Sequence, residues 1–95
     1  MTRYEENLER LNDYVNLNDG WLGGDGKKIN TDAIESAKNI LSLLKTEEDL
    51  SVFPMPNSGV QIEYFNENEN RDYEIEIYEN SMSINSYEAT RNTGV

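Results

Sequence analysis

The sequence predicts an α+β fold in which two N-terminal helices pack on one face of a three-stranded antiparallel β-meander, in the order α-α-β-β-β. Three observations predict it. Apolar residues recur at helical spacing twice in the first half of the chain, and at period two three times in the second half. Two independent turn lengths then agree on which strand residues face the core. The length of 95 residues supports one core, so residues 1–95 are expected to form a single domain.

The first helix is expected over residues 2–16. Tyr4, Leu8, Leu11 and Val15 recur at four, three and four residues and line one face, while Glu6, Glu9, Arg10 and Asp13 form a solvated one. Thr2 and Glu5 have the spacing of a capping box, and Glu5 and Glu6 suit the positive end of a helix.

Residues 17–30 form a glycine-rich loop, with four glycines between Gly20 and Gly26. Trp21 sits among them. The favoured reading is structural: the indole plugs the edge of the core while the glycines fold around it. A second helix follows over 31–45, capped by Asn30 or Thr31. Its stripe of Ala33, Ile34, Ala37, Ile40, Leu41 and Leu44 is wide enough to cover a sheet. Glu47, Glu48 and Asp49 end it. Pro54 and Pro56 bar a helix from the next stretch, and residues 51–54, with Val52 and Phe53, read as an edge strand or a buried strap.

Strands are expected over 60–65, 72–78 and 82–87. Val60, Ile62 and Tyr64 alternate with Gln61, Glu63 and Phe65. Tyr73, Ile75 and Ile77 alternate with Asp72, Glu74, Glu76 and Tyr78. Met82 and Ile84 alternate with Ser83, Asn85 and Tyr87. A loop over 66–71 pairs Tyr64 with Tyr73, Ile62 with Ile75 and Glu63 with Glu74. A turn at Asn80-Ser81 pairs Ile77 with Ile84 and Glu76 with Asn85. Residues 88–95 carry no pattern and read as a frayed tail.

Charge and residue types exclude several functions. With 19 Asp/Glu against 8 Lys/Arg the net charge is −11, so direct binding to a phosphate backbone has no electrostatic support. The absence of cysteine and histidine removes disulfides, thiolate zinc sites, thiol nucleophiles and the usual proton shuttle. No cofactor and no metal is expected. The glycine loop fails as a calcium loop: counted from Asn16, Gly20 falls at the fifth position and Lys27 at the twelfth, where carboxylates belong. It also fails as a phosphate loop, because Lys27 is followed by Lys28 and Ile29. No apolar run approaches the roughly 20 residues of a membrane span. The segment from Met1 to Glu6 lacks the apolar core of a signal peptide, so a cytoplasmic location is expected.

Taken in order, Gly20-Trp21-Leu22-Gly23-Gly24-Asp25-Gly26, Pro54 with Pro56, Gly59-Val60-Gln61-Ile62-Glu63-Tyr64 and Tyr73-Glu74-Ile75-Glu76-Ile77 resemble the pattern of a group of small bacterial and prophage proteins. That pattern runs from a Gly-Trp-Asp-Gly-x-Gly loop to Gly-Gly-Ile-Gln-Leu-Glu-Trp and Leu-Glu-Ile-Glu-Ile strands. The resemblance spans residues 8–84. Leu22 replaces an Asp of the pattern and Tyr64 replaces a Trp. It implies the fold and no particular activity.

The outer sheet face is the most unusual feature. Between residues 57 and 90 there are eight acids and one base. Glu63 opposite Glu74 sets like charges ~5 Å apart, which is destabilising. The bland reading is a solvated face that aids solubility and discourages edge pairing. Paired carboxylates also serve glycoside hydrolysis, but that chemistry needs a cleft that a flat exposed sheet does not supply. The chain is therefore expected not to be an enzyme. The third reading is recognition: carboxylates repeating every ~6.6 Å along a strand mimic a phosphate backbone and suit a basic groove. The expected function is a small interaction module that inhibits a basic nucleic-acid-handling protein, such as a nuclease or a CRISPR effector. Phage anti-defence inhibitors, anti-CRISPR proteins among them, are its concrete form. The alternative is a structural or housekeeping domain whose acidic face has no ligand. The expected partner-binding residues are Glu63, Asp72, Glu74 and Glu76, with Tyr78 and Tyr87 as aromatic anchors. No membrane contact is expected, and the chain is read as a monomer or as a homodimer paired through an exposed edge strand.

Overall fold

The computed structural model describes residues 1–89. Helix α1 (Arg3–Asp13) runs into one 3-10 turn (Tyr14–Asn16), and α2 (Thr31–Leu43) follows the glycine loop. Strands β1 (Glu48–Pro54), β2 (Val60–Asn66), β3 (Arg71–Ile77) and β4 (Met82–Glu88) then form one antiparallel sheet in the order β1-β2-β3-β4. The helices pack on β1, β2 and β3. Leu11, Ile34, Leu41, Leu50, Val60 and Ile62 form the centre of the core between the two layers.

The α+β class stands, but the three-stranded sheet does not: β1 is a full strand of seven residues. The prolines of this stretch are compatible with a strand because of where they fall. Met55 N–H donates to Gly59 C=O at 2.9 Å, and Pro54 opposes Val60. In this phase of the ladder, residues 50, 52 and 54 turn their amides off the sheet, so Pro54 forfeits no ladder bond. Leu50 and Val52 are buried against the helices. Asp49, at φ 54°, sits in the irregularity between Glu48 and Ser51, a bulge that hides the strand's alternation from a period-two reading.

The β2–β3 register is as expected, with Tyr64 opposite Tyr73, Ile62 opposite Ile75 and Glu63 opposite Glu74. The β3–β4 register is shifted by two residues. Tyr78 N–H donates to Ser81 C=O at 2.8 Å, so the turn is Glu79-Asn80, and Ile77 faces Met82 while Ile75 faces Ile84. This arrangement brings Arg71 opposite Glu88, an unlike-charge pair that the expected register lacks. A two-residue shift leaves every side chain on its expected face. Glu88 therefore belongs to β4 rather than to a tail, while residues 90–95 of that expected tail lie outside the described residues.

Both helix starts follow the sequence. Thr2 Oγ1 accepts from Glu5 N–H at 3.1 Å and Glu5 Oε1 accepts from Thr2 N–H at 3.0 Å, a complete capping box. Asn30, not Thr31, caps α2 through a 3.0 Å bond from Ala33 N–H. Val15 is 44% exposed, against the helical pattern. The 3-10 turn tightens the phase there and carries Tyr14 inward instead, where its hydroxyl donates to Val52 C=O at 3.1 Å.

Trp21 packs against the core cluster, and its Nε1 donates to Lys27 C=O at 2.6 Å. Gly26 is buried directly under the indole. This is the plug expected from the sequence, with the glycine needed for space rather than for an unusual backbone angle.

Candidate functional site: the acidic outer face

The outer face of the sheet is built by the pleat. Once Ile62 and Ile75 point into the core, Glu63, Asp72, Glu74 and Glu76 must point out. The structure places Glu63 directly opposite Glu74, and Asp72 opposite both Phe65 and Tyr87. These four acids are half-buried rather than fully exposed, and Tyr87 is 51% exposed.

The face is not flat. A hollow of about 340 Å³ is lined by Glu63, Asp72, Glu74 and Tyr87, together with Tyr64 and Asp49. Four of the six expected site residues therefore meet at one place. Asp49 is not legible in the sequence as a site residue, because it reads as the end of the second helix, ahead of the strap or edge strand expected over 51–54. Its signal is the pair Leu50 and Val52, apolar at alternate positions. Glu76 and Tyr78 lie further along the chain, outside the hollow, and Tyr78 Oη donates to Glu76 Oε2 at 3.3 Å. Tyr78 instead borders a second hollow with Lys28, Asn30, Ser58 and Glu79.

Phe65 alternates onto this outer side, yet it is 5% exposed and is not part of the main core cluster. The face thus has a buried apolar floor at one end. Two of its carboxylates are bonded by neutral donors: Gln61 Nε2 donates to Glu63, and the Tyr78 hydroxyl to Glu76. A neutral donor satisfies a carboxylate oxygen without cancelling its charge. Among the described residues, no group of three or more carboxylates has an arrangement able to hold a metal ion. No helix of the described residues is long and apolar enough to cross a membrane.

On the helix side, Tyr64 and Tyr73 stack with centroids 5.1 Å apart and planes within 5°. Burial raises the Tyr64 phenol above its ordinary value, and the hydrogen bond to Glu69 raises that of Tyr73.

No protein-family model matches the chain, and no match to a curated protein or a solved structure was found.

Proposed function

We propose that this chain is an acidic protein-interaction module that binds a basic nucleic-acid-handling protein through the outer face of its sheet and thereby blocks that protein's nucleic-acid site. The observation that carries this reading is the hollow in which Asp49, Glu63, Asp72 and Glu74 converge beside the exposed Tyr87. Carboxylates brought together on a rigid sheet, at the cost of mutual repulsion, match a cationic groove whose charges offset that repulsion on binding. An aromatic ring at the rim supplies the kind of anchor that dominates interface energetics. A nuclease or a CRISPR effector has such a groove, and the resemblance to small prophage proteins is consistent with an anti-defence inhibitor.

The test is capture from a bacterial lysate by the wild-type chain and by a variant with Glu63, Glu74 and Glu76 changed to Lys. The expected result is a basic protein retained by the wild type, lost with the variant, and displaced from the wild type by duplex DNA. A partner retained equally by both proteins would show that the acidic face is only a solvated surface, and a partner indifferent to DNA would show that the face does not cover a nucleic-acid site.

A further inference from the structure

The two edges of the sheet are treated differently. At β1 the off-sheet groups are sealed by α1 and the turn after it: Asn7 Nδ2 donates to Leu50 C=O at 2.8 Å, Asn7 Oδ1 accepts from Val52 N–H at 3.2 Å, and Tyr14 Oη donates to Val52 C=O. The bulge at Asp49 and the terminal Pro54 complete the protection. At β4 the bonds Tyr78 N–H to Ser81 C=O and Ala89 N–H to Asn70 C=O fix the ladder phase. Ser83, Asn85 and Tyr87 therefore bond to β3, while Met82, Ile84 and Ser86 turn their amides and carbonyls off the sheet. Among the described residues one group reaches that edge: Arg71 Nη2 donates to Ser86 C=O at 3.2 Å.

Side chains reinforce the contrast. Met82 and Ile84 share the sheet face of the core residues Ile77 and Ile75, yet they are 53% and 58% exposed, because the helices pack on the other three strands. β4 carries one charge, Glu88, in seven residues, within a chain of net charge −11. It has no proline and no bulge. Edge strands that avoid pairing carry charges, prolines or bulges; this one lacks all three where a second strand would lie.

We infer that β4 pairs antiparallel with β4 of a second copy of this chain, about a dyad at Ile84, to form one continuous eight-stranded sheet. Ile84 exchanges both backbone bonds with its own counterpart, and Met82 faces Ser86, whose carbonyl keeps its second lone pair for Arg71. The exposed Met82 and Ile84 side chains of both copies close over the dyad on the helix side. A second copy is the occupant because the uncharged edge is self-complementary, whereas a basic partner finds no carboxylate on it before Glu88. The contact is confined to one strand and the exposed Met82 and Ile84 side chains beside it, so the dimer is expected to be weak, with Kd on the order of 10 μM to 1 mM. Two chains of like charge also repel, so salt strengthens it. This inference does not depend on the acidic-face reading.

Sedimentation equilibrium of the full chain at ~0.5 M salt, over concentrations bracketing that Kd, is the test. The expected result is a mass rising from one chain to two, with Ile84→Pro and Ile84→Lys each weakening association at least ~10-fold. Ile84→Lys lowers the net negative charge, so a loss of dimer there does not come from the overall repulsion of two acidic chains. It reports the two lysines set opposite each other at the dyad, and Ile84→Pro tests the backbone pairing without added charge. Circular dichroism checks that each variant is folded. If the proline variant unfolds, hydrogen exchange on the wild type decides: the Met82, Ile84 and Ser86 amides gain protection with concentration, while Ser83 and Asn85 are protected throughout. A single-chain mass at every concentration overturns the inference. So does a dimer that survives Ile84→Pro, or one lost only through Leu43→Lys on the exposed side of α2.

Discussion

The Asn7 carboxamide clamps the free edge of β1 by accepting from Val52 N–H at 3.2 Å while donating to Leu50 C=O at 2.8 Å. It is 2% exposed, and its Nδ2 also bonds Arg3 C=O in the preceding turn of α1. One side chain therefore joins helix, strand and edge protection. Asn7→Ala is expected to lower the unfolding free energy by about 2–3 kcal/mol, since buried backbone groups at Leu50 and Val52 lose their partners. Asn7→Asp retains the acceptor but loses the donor, and a buried carboxylate then faces the Leu50 carbonyl. Its loss is expected to be the larger at neutral pH and to shrink in acid. Urea unfolding of the two variants at both pH values checks this.

Gly26 and Trp21 form a second coupled pair. A Cβ added at Gly26 falls 2.6 Å from Trp21 Cε2, and the indole is held in turn by Lys27 C=O. Gly26→Ala is expected to displace the ring, costing about 1–3 kcal/mol and shifting the emission of the sole tryptophan toward the red. At Gly23 an added methyl would meet nothing within 4 Å, but the backbone lies at φ +57°. Gly23→Ala is therefore expected to cost only about 1–2 kcal/mol of backbone strain and to leave the emission unchanged. A red shift with Gly23→Ala, or none with Gly26→Ala, contradicts the assignment.

Local periodicity makes both helices, the capping box, the tryptophan plug and the β2–β3 register legible in the sequence. The elements it misses share a cause: each is set by long-range contact. β1 is a strand because Leu50 and Val52 dock under α1, and its bulge breaks the alternation that announces a strand. The β4 register is chosen across the whole length of β3 rather than by the turn dipeptide. The acidic residues of the site are readable from the pleat, but their convergence on a hollow is not, because Asp49 enters from the bulge. The sealing of one edge by Asn7 and Tyr14 likewise has no local sequence signal, since a polar residue within a helical stripe reads as solvated.

The opposition of Glu63 and Glu74 across β2 and β3 has a cost in the free protein. Glu74→Gln is expected to stabilise the fold by about 0.2–1 kcal/mol in low salt. Added salt is expected to narrow the difference by screening the repulsion. Thermal melts at two salt concentrations check both. If the proposed acidic-face function holds, the same substitution weakens partner capture, so stability and binding move in opposite directions. A variant that is destabilised in low salt removes like-charge repulsion as the account of this face.

Tyr14 gives the fold an alkaline limit. Burial pushes its phenol up to about 12 from the ordinary 10, with smaller opposing effects of Arg10 and Asp13. The neutral form is thus favoured in the folded state. A raised folded value contributes stability that is complete below the unfolded pKa and is lost as pH rises through the folded one. The loss is therefore expected between pH 10 and about 12. Tyr64 and Tyr73, also raised, add to it in the same direction. Tyr14→Phe removes the hydroxyl that bonds Val52 C=O and is expected to cost about 1 kcal/mol at neutral pH. It should also flatten the alkaline fall, so that wild type and variant converge as pH rises. Denaturant melts across this range, read beside tyrosinate absorbance, test both halves. Parallel rather than converging pH profiles would show that Tyr14 ionises no differently in the folded chain than in the unfolded one.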